Sequence, residues 1–231
     1  MHRLDRLFVL WSRPGPEREG QRYVIGELWR DRAGHSFAYA PDLSAARQAG
    51  FTLMAEFPDH RGVDDPYRSG HLFWTFSERI PSPRRPDYKK LMSSWGVQHP
   101  DDQFEVLALS GGVQATDRIE LAEYRASDDD LSTELLFRLA GERFGEGAAD
   151  LQAGDSLELR CEPTNPVDPS ATQVVFKGAR KIGYVPVQYS RTVARLLRTG
   201  QALEARAVRR LLLPEERGRW IISARNPTPE R

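Results

Sequence analysis

The sequence predicts an α+β chain that is mostly β: an antiparallel meander with helices first, then a strand-rich second half carrying one helix. Three observations carry this expectation. Apolar and polar residues alternate over 35–40 and again over 157–160, the period of half-buried strands. Gly, Pro, Asn and Asp clusters punctuate the chain at short intervals, which favours hairpins over long helices. Apolar residues at helical spacing are confined to a few short windows.

The elements follow in order. Strands are expected at 7–11, 22–30 and 35–40, separated by a Pro/Gly/charge loop over 12–21 and a turn over 31–34. A short helix over 43–49 closes at Gly50, and 51–57 reads as extended before Pro58. Tyr67, Leu72, Phe73, Phe76 and Ile80 recur at helical spacing, and the prolines of 81–86 break that helix. Asp87 is placed to cap a helix over 88–95 that Gly96 ends. Residues 104–109 read as helix or strand, Ser110-Gly111-Gly112 as a turn, and 118–123 as a strand. The acidic run 127–130 is the best linker, which divides the chain into 1–128 and 129–231.

The second part opens with a strand over 134–140, a loop over 141–147 and a turn over 151–155. The strand 157–160 then runs into Asn165-Pro166 and Asp168-Pro169. Each proline fixes its own φ and pushes its predecessor toward extended geometry, so pairing stops there. Asn165 and Asp168 can each bond a nearby backbone N–H and hold the corner. Strands at 173–176 and 181–185 flank a Lys177-Gly178 turn. A helix over 190–198 puts Val193, Leu196 and Leu197 on one face, before closing strands at 202–212 and 220–224.

Bulk properties bound the function. The chain of 231 residues is long enough for two ordinary domains, and no apolar run reaches membrane-spanning length. Residues 1–6 lack the apolar core of a signal peptide, and the single cysteine, Cys161, excludes an internal disulfide. Both point to a cytoplasmic protein. Net charge is zero but unevenly placed. Residues 1–130 carry 17 Lys+Arg against 21 Asp+Glu, and residues 131–231 carry 16 against 12. A basic second half is compatible with a polyanion partner. Nearly all the basic residues are arginine, as expected of a bacterial protein from a GC-rich genome.

The second half resembles the HIRAN domain family. The resemblance rests on Gly141-Glu142-Arg143-Phe144, on Glu162-Pro163-Thr164-Asn165-Pro166-Val167-Asp168, on Ile182-Gly183-Tyr184-Val185-Pro186, and on the apolar helix ending at Gly200, in family order over 134–225. It implies a small OB-like β-barrel that binds single-stranded DNA and can hold its 3′ end, in repair or in defence against foreign DNA. It further implies that Arg143 meets a phosphate and Phe144 stacks on a base. Asp168 would accept a hydrogen bond from a terminal 3′ hydroxyl, with Tyr184 facing the same pocket. Asn165 and Lys181 complete the candidate DNA-binding set. Val167 stands where DNA-binding members carry an aromatic, and 185–188 lacks their lysines. Each candidate also has a structural reading: Asn165 and Asp168 as turn-makers, Phe144 as core, Tyr184 as half-buried packing, and Arg191, Arg195 and Arg198 as a solvated helix face.

The first half, over roughly 7–60, is similar to the N-terminal subdomain of HipA-type kinase toxins through Val24-x-Gly26-x-Leu28 and Phe37-x-Tyr39. That resemblance implies an interaction or regulatory module. No segment supplies the kinase residues. The five histidines show no metal-ligand spacing, so no metal or cofactor is expected. Asp87-Tyr88-Lys89 is a weak nuclease-like string, weighed against an ordinary helix cap. The expectation is therefore a protein without enzymatic activity.

Overall fold

The computed structural model describes residues 5–14, 21–123, 131, 134–142, 148, 150–211 and 219–227. The chain forms two compact units, 1–125 and 126–231. Its architecture is mostly β, with an antiparallel meander in the first unit and a curled, barrel-like sheet in the second.

The first unit holds a five-stranded antiparallel sheet of β1 (Arg6–Ser12), β2 (Arg22–Asp31), β3 (Gly34–Tyr39), β4 (Tyr67–Ser69) and β5 (Ile119–Glu123), in the order β4-β3-β2-β1-β5. Four helices accompany it: α1 (Ser44–Gln48), α2 (Trp74–Ser77), α3 (Tyr88–Trp95) and α4 (Gln103–Ser110). β1 and β2 slip register beside Gly26. A Cβ on Gly26 would sit 2.4 Å from the carbonyl oxygen of Ala38, so no larger residue fits there. The core is aromatic: Phe37, Phe57 and Phe76 meet with ring centroids 4.4 to 5.8 Å apart.

That aromatic core explains two departures from the sequence reading. The helical spacing of Tyr67 to Ile80 is not one helix but strand β4 followed by the single turn α2. Tyr67 pairs across from Phe37, and its hydroxyl bonds both backbone groups of Asp59. Phe73 stays extended (φ −54°, ψ 145°), so the helix starts only at Trp74. Residues 51–57 join no strand either. Phe51 and Phe57 plug the core, held by the buried Tyr39 hydroxyl. It donates to the Phe57 carbonyl at 2.9 Å and accepts from the Met54 N–H at 2.9 Å. Burial pushes that phenol up to about 12.

Helix capping also differs from the expectation. Asp87 occupies the N-cap position of α3, but its carboxylate forms a bidentate pair with Arg85 instead of bonding helix N–H groups. The working cap is Asp102, which opens α4 by accepting from the Phe104 and Glu105 N–H groups. The same carboxylate takes both ends of the Arg30 guanidinium, at 2.8 and 2.7 Å. The ambiguous 104–109 is thus helix, closed by Gly111 at φ 78°. Arg79, its side chain 2% exposed, ties the end of α2 to the turn before β5. It donates to the carbonyls of Thr75 and Gly112 and pairs with Asp117.

The second unit holds β6 (Leu135–Arg138), β7 (Ser156–Cys161), β8 (Thr172–Phe176), β9 (Arg180–Tyr184), β10 (Glu204–Leu211) and β11 (Arg219–Arg225), in the order β6-β11-β10-β7-β8-β9. The two edges meet just past β6, where Ala140 and Tyr184 exchange backbone hydrogen bonds of 3.0 and 2.8 Å. That contact needs Gly183, because a Cβ there would lie 2.5 Å from the Ala140 carbonyl oxygen and against Leu139. Lys177 and Gly178 both take positive φ in the β8–β9 hairpin, as a turn matched to strand twist requires. Helix α5 (Val187–Arg198) packs on β7 and β8, burying Tyr189, Val193, Ala194 and Leu196. It starts at Val187, directly after Pro186, rather than at 190. The linker expected at 127–130 lies outside the described residues.

Substituting Gly183→Ala should destabilise the protein by about 1–3 kcal/mol through overpacking. Amide exchange at Ala140 and Tyr184 should accelerate. Gly62→Ala, in open space, should stay within about 0.5 kcal/mol in the same urea titration. Arg79→Met leaves the Asp117 carboxylate and several carbonyls unpaired, and should cost about 3 kcal/mol by chemical denaturation.

Candidate functional site

The proline-bounded corner between β7 and β8 is a hydrogen-bonded frame. Strand pairing brings Arg160, Gln173 and Tyr184 into one row across β7, β8 and β9, outside the apolar face formed by Leu157, Leu159, Val174 and Ile182. Just past that row, the Glu162 N–H donates to the Ala171 carbonyl at 2.8 Å and closes the corner at its base. The chain between is 163–170.

Asn165 is the hub of the corner. Its Oδ1 accepts from the Val167 N–H at 2.9 Å and the Asp168 N–H at 3.2 Å. Its Nδ2 donates to Glu162 Oε2 at 2.7 Å. The same Glu162 oxygen accepts from the Tyr184 hydroxyl at 2.9 Å. Tyr184 in turn accepts from Lys181 Nζ at 3.1 Å, and that ammonium also lies 5.1 Å from the tyrosine ring centroid. Lys181 and Tyr184 are three apart, which in a regular strand puts them on opposite faces. A register shift in β9 leaves Ile182 as the extra residue and brings both side chains together.

Asp168 sits at the other end of the frame. Its Oδ1 accepts from the Ser170 N–H at 2.8 Å, and its Oδ2 from the Ser190 hydroxyl on α5 at 2.8 Å. Arg198, a further two turns along α5, donates to the Pro169 carbonyl at 2.7 Å. The frame therefore runs from β9 through the corner to the helix. A carboxylate offers about four lone-pair sites, so each acid keeps acceptor capacity for an incoming hydroxyl. Val167, 57% exposed, is the apolar tip of the corner.

Glu162 is held below the ordinary glutamate range. The Asn165 hydrogen bond is the largest cause; burial opposes it, and Tyr184, Gln173 and the nearby Lys181 charge assist. It is ionised at neutral pH, so the corner presents carboxylates beside one lysine.

Of the residues singled out from sequence, Asn165, Asp168, Lys181 and Tyr184 come together in this frame. Arg143 and Phe144 lie outside the described residues; the chain enters their segment from Ala140, the residue bonded to Tyr184. Sequence reasoning left Glu162, Gln173 and Ser190 out of the site. Glu162 carried a signal, being the first residue of the quoted Glu-Pro-x-Asn-Pro-x-Asp string. Ser190 carried none, because its role comes from a hydrogen bond to Asp168 on a distant element. Among the described residues no group of three His, Cys, Asp or Glu is placed to hold a metal ion, and no helix is long and apolar enough to cross a membrane.

The second unit is thus a small curled β-sheet module with a polar, carboxylate-bearing corner braced by one helix. Residues 133–211 match the model of the HIRAN domain. The family is associated with DNA binding, which supports a nucleic-acid-binding module. Among solved structures the chain is similar to the HIRAN domain of human HLTF, at 16% identity over 41% of this chain and 76% of that one, with a TM-score of 0.35. It is also similar to a protein from Lactobacillus plantarum, at 19% identity over 41% of this chain and 99% of that one, with a TM-score of 0.32. No curated protein matches the chain.

The Glu162 carboxyl should titrate below the usual value of 4.5, and Asn165→Ala should raise it, measured by NMR side-chain titration. A depressed folded pKa means that Glu162 stabilises the corner fully above pH 4.5 and loses that contribution as pH falls through the folded value.

Proposed function

We propose that the second unit binds single-stranded DNA and reads a free 3′ end at the corner, without enzymatic activity, in DNA repair or in defence against foreign DNA. The observation that carries this reading is the frame joining Lys181, Tyr184, Glu162, Asn165 and Asp168 within a HIRAN domain. An ionised carboxylate accepts a hydrogen bond from a neutral hydroxyl and repels a continuing phosphate, so it separates an end from an internal site. Lys181 offers a cation to the penultimate phosphate. The Tyr184 ring offers a stacking face, worth about 1–3 kcal/mol per base in single-strand sites. Arg143 and Phe144 complete the set as a phosphate contact and a base platform.

A second reading assigns residues 1–128 to protein interaction, in line with the HipA-type resemblance. Trp74 and Val113 favour it: they are 69% and 61% exposed, which is unusual for large apolar side chains.

Fluorescence anisotropy with a 3′-hydroxyl and a 3′-phosphate oligonucleotide at two salt concentrations tests the first reading. The hydroxyl strand should bind more tightly. Asp168→Asn should shrink that preference about tenfold, the scale of one hydrogen bond to a charged group. The ratio is the readout, because loss of the Ser190 brace would weaken both strands alike. Negligible binding of both strands would remove DNA from the function and leave the interaction reading.

A further inference from the structure

We infer that the exposed face of α5 is a phosphate track, in which Arg191, Arg195 and Arg198 hold the backbone of the strand whose end lies at the corner. The inference rests on the single-strand reading above and deepens it.

The three arginines are exposed and recur at i, i+4 and i+7, so they form one stripe on the helix. The twelve residues of α5 include no Asp or Glu. A solvated helix face ordinarily interleaves signs, because like charges four apart destabilise a helix by about 0.2–0.5 kcal/mol per pair. The helix dipole accounts for cations in the last turn, where Arg195 and Arg198 lie. It gives no account of Arg191, which sits in the N-terminal half.

Placement makes the stripe relevant to the corner. Ser190 bonds Asp168 and Arg198 bonds Pro169, so the corner lies along the helix over the same span that carries the arginines. Eight residues of helix cover about 12 Å, with successive arginines about 4.5–6 Å apart along the axis. Arginine side chains are long and flexible, so a stripe of this length can reach successive phosphates of an extended strand. The exposed Val167 is the apolar tip of the same corner, open to the face of a base. The acidic corner itself repels a polyanion, so affinity has to come from neighbouring cations, and the stripe places three of them on the helix that bonds the corner.

The test is the salt dependence of binding of a single-stranded oligothymidylate with a 3′ hydroxyl. Arg191 and Arg195 are exposed, and the double variant Arg191→Gln/Arg195→Gln is compared with the wild type at a temperature where circular dichroism shows both to be folded. Each phosphate contact on a single strand contributes about 0.7 to the slope of log K against log salt. The double variant should therefore bind with a slope shallower by about 1.4, and Arg191→Lys/Arg195→Lys should restore most of it. The preference for a 3′ hydroxyl over a 3′ phosphate should survive in both variants. Wild-type binding with an unchanged slope in the glutamine variant would overturn the track and leave the end-reading corner standing. No binding by the wild type would overturn both. Loss of binding to anionic phosphatidylserine vesicles, with strand affinity unchanged, would assign the stripe to a lipid surface instead.

Discussion

Everything at the corner depends on how closely two backbones approach at Gly183. The sheet of the second unit is open except where Ala140 and Tyr184 exchange hydrogen bonds. That exchange sets the height of Tyr184 on the sheet and fixes where the chain leaves β6. A side chain at 183 would occupy the space of the Ala140 carbonyl. The glycine is required for room rather than for a left-handed φ, which distinguishes it from Gly178 in the neighbouring hairpin. Once the closure is made, the extra residue in β9 turns Lys181 onto the Tyr184 side, and the Lys–Tyr–Glu chain can form. A packing constraint inside the sheet thus positions a polar array outside it.

The array is built around an amide, not around either acid. Asn165 donates to Glu162 and accepts from two backbone N–H groups, using both ends of its side chain. An aspartate there could accept but not donate, and would place a third carboxylate beside Glu162 and Asp168. The amide instead lowers the Glu162 pKa by stabilising its charged form. Asp168 is braced separately, by Ser170 within the corner and Ser190 on the helix. Two carboxylates are thereby held in fixed directions by neutral partners, and Lys181 hydrogen-bonds to the frame through Tyr184. Fixed directions matter for recognition, because an acceptor that need not reorganise on binding loses less free energy when it meets a hydroxyl.

Much of the second unit was legible from sequence because its signals are local. Proline pairs, the Lys177-Gly178 turn and strand alternation each act within a few residues, and β7, β8 and β9 fall where those signals put them. The first unit was less legible because its aromatic residues obey two periods at once. Tyr67, Phe73 and Phe76 read as one helix face, yet they converge on Phe57 from a strand, an extended residue and a single helical turn. Spacing cannot distinguish convergence in space from recurrence along a helix. Capping shows the same limit: Asp87 and Asp102 both precede helices, and only the partner decides which one caps. Arg85 captures Asp87, whereas Asp102 bonds two helix N–H groups and Arg30 at once. The β9 bulge and the Ser190 brace left no local trace, because each arises from pairing with a distant element.

A carboxylate site for a polyanion looks self-defeating until affinity and selectivity are separated. Sequence-independent affinity for a strand comes from neutralising phosphates, and it scales with the number of cations engaged. Selectivity for an end is a difference between two bound states, and repulsion of the wrong one contributes as much as attraction of the right one. An acid at the corner weakens binding of an internal phosphate and of a terminal phosphate alike, while a hydroxyl there meets an acceptor. The penalty on overall affinity is tolerable only if cations lie close enough to hold the rest of the strand, yet far enough not to neutralise the acid. Arginines on α5 meet that condition, since the helix touches the corner through a serine hydroxyl and a backbone carbonyl rather than through an ion pair with Asp168. On the proposed reading, the two parts of the surface would divide the work: the helix would hold a strand and the corner would recognise where it stops.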